Sequence, residues 1–271
     1  MIQVKKLESI DHLTHLKTQY IQQTTAPLDG MWLCGFVPQA SHYGLYAGDE
    51  LVGFFCVNDE GYLLQFFLNQ DYQSQSSLLF ESIFDSDDLT SGKVKGAFVS
   101  TVEPDYLSLC LDQFSKFEVN ALMYQFDRTS GEQLHESPLS MNTIDSAQLS
   151  EAIDFAVASI GAPAEWLSGY YGNLINRREL FGVWENGRLV ATGESRGYDE
   201  YQTEYADVGM VVAESERGRG IATQVLRQLV AMNESKGLKS ICSTEKTNIA
   251  AQKAIRRAGF FASNRILQFH V

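Results

Sequence analysis

Apolar positions along this chain switch between a strand-like and a helix-like period, and the same order of switches is written twice. Ala206–Val212 (A-D-V-G-M-V-V) alternates loosely and then turns wholly apolar, as a buried strand does. After a short polar turn, Ile221, Val225, Leu226, Leu229 and Val230 recur at helical spacing, and Met232 continues the pattern. Further on, Ser243–Phe269 (S-T-E-K-T-N-I-A-A-Q-K-A-I-R-R-A-G-F-F-A-S-N-R-I-L-Q-F) reads as strand end, amphipathic helix, strand. Ser100–Phe126 has the same length, also opens on Ser-Thr and also closes on Gln-Phe.

Upstream the parallel continues. Gly44–Gly53 and Gly182–Ala191 are hairpin patterns that turn at Gly48-Asp49 and at Asn186-Gly187. Ser9-Ile10-Asp11 and Thr143-Ile144-Asp145 each open a helical pattern with a capping-type residue. These matches, all in one order, predict a duplicated domain. Each half reads as helix region, hairpin, third strand, helix, strand, helix, strand, hence an α/β fold with a mixed sheet flanked by helices. The polar, turn-rich Gly131–Pro138 serves as the linker, which divides the chain into 1–130, 131–138 and 139–271.

Composition narrows the functional classes. At 271 residues with 44% apolar and 20% charged residues the chain is an ordinary folded protein, long enough for two domains. A formal charge of −13 argues against a general nucleic-acid binder, which needs a basic face for phosphates. Cys34, Cys56, Cys110 and Cys242 lie far apart without a CxxC pair, so reduced thiols and no metal site are expected. No stretch nears about 18 consecutive apolar residues and no leader is evident at the N-terminus, so a soluble cytoplasmic protein is expected, without membrane contact.

Against that acidity, residues 214–223 (E-S-E-R-G-R-G-I-A-T) place Arg217, Gly218, Arg219 and Gly220 where a strand feeds a helix. Free N–H groups and the helix dipole make such a turn an anion site, and glycines let the backbone approach a ligand. A pyrophosphate cradle and a plain tight turn with surface arginines both satisfy the spacing. It is too short for a Walker loop and lacks the full G-x-G-x-x-G.

Residues 217–222 (R-G-R-G-I-A) match the R/Q-x-x-G-x-G/A loop, and Asn248–Phe260 (N-I-A-A-Q-K-A-I-R-R-A-G-F) the N-x-x-A-x-x-x-(Y)-x-x-x-G-F helix, of the GNAT superfamily of acyl-CoA N-acyltransferases. Roughly residues 140–271 resemble that family. The resemblance implies two tandem GNAT-like domains, each a mostly antiparallel mixed sheet with a splayed central strand pair, and acetyl-CoA as co-substrate. It places pantetheine between Asp207–Val212 and Leu238–Thr244. Backbone groups of Met210 and Val212 would pair with its amides, and Met210 or Val211 N–H would serve the thioester oxygen. N–H groups over Arg217, Gly218, Arg219, Gly220, Ile221, Ala222 and Thr223 would hold the pyrophosphate. Asn248 would bind near the pantetheine, or cap its helix, or both.

The first half follows only the order of elements. Its loop position, Asn69–Ser77, has no glycine or arginine and carries Asp71, and Asp105 stands for the asparagine. It reads as a degenerate copy whose expected role is structural, or to shape the substrate cleft where the two halves face each other.

Amine acetylation needs a base and an acid. Asp207 resembles in place the strand carboxylate some family members use as base; Glu194 is the close alternative, and Glu204 and Glu245 follow. The family's usual tyrosine acid falls at Ile255, which cannot donate a proton, leaving Tyr170, Tyr171, Tyr198, Tyr201, Tyr205 or water. Cys242 and Ser243 have no visible base partner, so direct transfer is expected. Tyr198, Tyr201 and Tyr205, with Glu204, form an aromatic, acidic stretch suited to a cationic amine. The expected activity is an N-acetyltransferase acting on a small primary amine. An acyl-CoA-binding sensor and a protein N-acetyltransferase are the rival readings.

Overall fold

The computed structural model describes residues 2–85, 93–129 and 139–271; the expected linker 131–138 lies outside them. Two compact units result, Met1–Leu122 with Asn264–Val271, and Met123–Ser263.

The first unit contains β1 (Ile2–Lys6), α1 (Thr14–Gln22), α2 (Val37–Gln39), β2 (Ser41–Ala47), β3 (Glu50–Val57), β4 (Tyr62–Leu68), α3 (Ser76–Asp85), β5 (Gly96–Ser100), α4 (Pro104–Gln113) and the start of β6 (Lys116–Phe126). Strands β1 to β4 pair antiparallel in sequence order. β4 and β5 run parallel, and Ile266–His270 from the chain's end pair antiparallel with β5. Phe55, Leu63, Phe80, Val99, Tyr106 and Phe269 anchor the core.

The second unit contains β7 (Met141–Thr143), α5 (Leu149–Ile160), α6 (Ala164–Asn176), β8 (Leu180–Glu185), β9 (Arg188–Gly197), β10 (Tyr205–Val212), α7 (Ile221–Ser235), β11 (Lys239–Glu245), α8 (Ile249–Arg257) and the start of β12 (Phe260–His270). β7, β8, β9 and β10 pair antiparallel in order, and β10 pairs parallel with β11. The sequence reading finds these elements except the short edge strands β1 and β7, whose half-exposed residues carry little hydrophobic signal.

Local chemistry accounts for the boundaries. Asn186 and Gly187 take positive φ, 54° and 76°, the pair a tight hairpin turn requires. Asp145 accepts from Ala147 and Gln148 N–H while Gln148 reaches back to Asp145 N–H, a capping box at the entry to α5. Val225, Leu226 and Leu229 are fully buried, so the apolar stripe of α7 is its core face. Gly193 on β9 lets that stripe close in, since a Cβ there would stand 2.7 Å from Val225.

The units differ from a cut at the linker, because Asn264–Val271 groups with the first unit. His270, the histidine nearest the C-terminus, therefore sits in the first unit, 3.6 Å from Glu118.

Candidate active site

β10 keeps its hydrogen bonds to β9 along its whole useful length, from Ala206↔Gly197 to Val212↔Ala191. Its parallel register with β11 covers only Tyr205↔Lys239, Ala206↔Ser240 and Asp207↔Ile241, although both strands run on. Beyond Asp207 the two strands diverge. Backbone groups of Val208–Val212 that point away from β9 thus face a gap, an edge that a ligand with amide groups can complete.

The gap leads to the 214–223 turn. Gly218 and Gly220 have φ of 82° and 84°, a left-handed conformation that favours glycine. A Cβ on Gly218 would meet nothing within 4 Å. Gly220 is the N-cap of the 15-residue α7, and no side chain caps it. The first-turn N–H groups at Ile221, Ala222 and Thr223 have no intrahelical acceptor, so they remain available to an anion. The Thr223 side chain turns inward toward the Ala254 carbonyl, 3.4 Å away. An open, glycine-built helix entry beside a splayed strand fits the diphosphate and pantetheine of an acyl-CoA.

The arginines of the turn are already engaged. Arg217 donates to the Ser159 carbonyl at 2.9 Å, near the C-terminal end of α5. Arg219 grips Glu185 through two bonds of 3.0 and 3.1 Å and also pairs with Glu216, which Arg188 shares. Arg188, Arg217 and Arg219 are matched in number by Glu185, Glu214 and Glu216 around the turn, and the ion pairs brace its shape. Asn248 accepts from Ala251 N–H at 3.1 Å and is the N-cap of α8.

A buried charged cluster lies on the opposite face of the sheet from α7. Arg196 and Asp207 form an ion pair at 2.7 Å, with 10% and 1% of their side chains exposed. Burial alone would lower the Arg196 pKa, but the charges of Asp207 and Glu194 outweigh it and hold the guanidinium protonated. Arg196 also donates to the Tyr170 hydroxyl, and Tyr170 donates to Glu194 Oε2. Burial, then the Glu194 charge, push the Tyr170 phenol well above its ordinary pKa, so it stays protonated. The other Glu194 oxygen, Oε1, lies over Gly209 of β10, 2.7 Å from where a Cβ would stand. Only glycine at 209 leaves room for that carboxylate beside the gap.

The two candidate bases thus occupy different settings. Asp207 is sealed in and bound to Arg196; Glu194 has one oxygen fixed and the other turned to the splayed strand. Glu245 is exposed at the end of β11, and Cys242 is buried on the same strand. Ile255 is 2% exposed, a core residue of α8. Tyr205 lies at the closed end of the splay, with Lys239 Nζ 5.3 Å from its ring centre. The Glu204 carbonyl binds Lys239 N–H, and Tyr198 and Tyr201 are half-buried beyond the end of β9. Arg196 is absent from the sequence reading, although Glu194-x-Arg196 on a strand places both side chains on one face.

In the first unit, β4 and β5 also part, after Tyr62↔Gly96 and Leu63↔Ala97. There the Asn69 side chain accepts from Asp71 N–H, capping the turn that glycines leave open in the second unit. Tyr20 donates to the buried Glu103 at the mouth of the gap. Among the described residues no group of side chains is arranged to hold a metal ion, and no helix is long and apolar enough to cross a membrane.

Comparison with known proteins agrees with this geometry. Residues 9–127 match an acetyltransferase (GNAT) domain model, and residues 149–260 match the acetyltransferase (GNAT) family model. An acetyltransferase of the GNAT family from Colwellia psychrerythraea is 51% identical over 99% of both chains, with a TM-score of 0.93. A GCN5-related N-acetyltransferase from Sphaerobacter thermophilus, 13% identical, covers 98% of this chain and 94% of its own, with a TM-score of 0.66. A tandem GNAT protein from the clavulanic acid biosynthesis pathway gives 0.66 at 12% identity, covering 99% and 98%. A search of curated proteins found no match. The chain belongs to the GNAT acetyltransferase family and carries two GNAT domains in tandem.

Proposed function

We propose that the second unit transfers an acetyl group from acetyl-CoA directly to the primary amine of a small-molecule acceptor, with Glu194 as general base. The observation that carries this reading is the placement of Glu194 Oε1 over Gly209, beside the gap between β10 and β11.

N–H groups of Arg217, Gly218, Arg219, Gly220, Ile221, Ala222 and Thr223 hold the diphosphate. Backbone groups of Met210 and Val212 hold the pantetheine amides, the N–H of Met210, on the gap side of β10, serves the thioester oxygen, and Asn248 flanks the arm. The thioester supplies an activated acetyl group. Glu194 Oε1 would receive a proton from the acceptor ammonium, directly or through water, leaving the nitrogen lone pair free to attack; as the N–C bond forms the C–S bond breaks, and the thiolate leaves as the thiol with the second amine proton. Tyr170 and Arg196 fix Oε2, so the carboxylate meets the amine in one orientation. Asp207 holds Arg196 in place and acts as a positioning residue. With two carboxylates against one guanidinium, the cluster is net negative and attracts an ammonium. Four free cysteines fit a reducing cytoplasm.

The test is calorimetric titration of acetyl-CoA into the wild type and into Gly220→Asp. Aspartate tolerates a left-handed φ better than most residues and places a negative charge at the helix entry. Binding to the wild type that is lost in a folded variant supports the cradle. Equal binding by both proteins, or none by either, overturns it.

A further inference from the structure

The cradle at the 214–223 turn lacks the charge that its ligand calls for. Its arginines and carboxylates cancel, whereas an acyl-CoA brings a diphosphate and, on its ribose, a separate 3′-phosphate. Backbone N–H groups answer the diphosphate by hydrogen bonding. The 3′-phosphate needs cations from another element.

The chain places such cations in α8. Although its formal charge is −13, no aspartate or glutamate occurs from Lys246 to Val271, and Lys253, Arg256 and Arg257 all fall within α8. These three residues are exposed, and none is in an ion pair among the described residues. Elsewhere in the second unit Arg128, Arg177, Arg188, Arg196 and Arg219 each hold a carboxylate. Arg256 and Arg257 also suit the last turn of a helix, where the dipole favours cations. Lys253 lies a full turn earlier, four residues from Arg257, and like charges at that spacing weaken a helix.

Two contacts set α8 beside the cradle. Thr223 Oγ1, at the end of the cradle, is 3.4 Å from the Ala254 carbonyl, and Arg227, one turn on, donates to the Arg257 carbonyl at 2.7 Å. Hence α7 and α8 run alongside each other in the same direction, away from the turn. Lys253 directly precedes the residue that Thr223 touches, so the basic stretch of α8 begins next to the diphosphate-binding segment.

We propose that Lys253, with Arg256 and Arg257, takes the ribose 3′-phosphate of the acyl-CoA, so that α8 makes the protein distinguish CoA thioesters from their 3′-dephospho forms. This rests on the acyl-CoA reading of the cradle and deepens it. The turn fixes the diphosphate by directed hydrogen bonds, and α8 contributes net charge on long, flexible stems.

The test is calorimetric titration of acetyl-CoA and of 3′-dephospho-acetyl-CoA into the wild type, Lys253→Gln, and the triple variant Lys253→Gln/Arg256→Gln/Arg257→Gln. Glutamine keeps helix propensity, and circular dichroism checks that each variant is folded. An exposed cation–phosphate contact is worth up to about fivefold in affinity. The wild type should therefore bind acetyl-CoA roughly tenfold more tightly than the dephospho form, with Lys253→Gln losing part of that preference and the triple variant nearly all of it. Raising the salt from about 0.05 M to about 0.5 M should narrow the wild-type preference, since exposed charges are screened. Equal affinity of the wild type for the two ligands, or a preference that the triple variant keeps, would overturn the α8 assignment and leave the cradle standing. No binding of either ligand by the wild type would overturn both.

Discussion

Two carboxylates two strand positions from Arg196 or paired with it, Glu194 and Asp207, separate cleanly under isosteric replacement. In Asp207→Asn the buried guanidinium of Arg196 loses its closest anion, at 2.7 Å, while Glu194 remains 3.5 Å away. Removing one partner of a buried pair costs about 3–5 kcal/mol, and the remaining Glu194 contact favours the low end, about 3 kcal/mol. In a unit of this size that lowers the melting temperature by roughly 10 °C. Glu194→Gln keeps an oxygen to accept from Tyr170 and sits nearer solvent, so it costs about 1 kcal/mol. Its amide cannot take a proton, and kcat should fall about 10²- to 10⁴-fold. Thermal unfolding by circular dichroism and product formation by mass spectrometry read the two effects independently. Asp207→Asn melting like the wild type while losing most of its kcat, with Glu194→Gln still turning over, would refute the assignment and make Asp207 the base.

Two further outcomes concern the first unit. Burial pushes the Glu103 carboxyl up to about 7, against the Tyr20 hydroxyl and Ser100 N–H bonds that pull it down. The native state therefore holds a proton that the unfolded chain releases near 4.5. Stability from this group is complete below about 4.5 and lost as pH rises through about 7. Glu103→Gln should gain about 3 kcal/mol on the wild type between pH 4.5 and pH 8, read from urea midpoints; a constant difference would refute the burial argument. Cysteine chemistry gives the second outcome: Cys34 is exposed whereas Cys56, Cys110 and Cys242 are buried, and burial pushes the Cys56 thiol up to about 12. Alkylation of the native protein should modify one thiol quickly and all four only after denaturation, and peptide mapping should place the fast label on Cys34.

Local sequence determined the parts of this protein that depend on neighbouring residues. Asn186-Gly187 turns a hairpin and Gly218 and Gly220 open a helix because positive φ is a property of single residues. The stripe from Ile221 to Val230 becomes a core face because helical period alone aligns it. Motif order likewise sufficed for the family and for two domains in tandem. Tertiary structure decided what depends on distant partners. Asp207 and Glu194 look alike as strand carboxylates, and only the pairing of β9 with β10 and the packing of α6 bring Arg196 to one and Tyr170 to the other. The side chains of Arg217 and Arg219 brace the turn through Ser159 and Glu185, 58 and 34 residues away, partners that no local pattern names. Asn264–Val271 joins the first unit because a strand's apolar pattern specifies that it will be paired, and not which sheet edge will accept it.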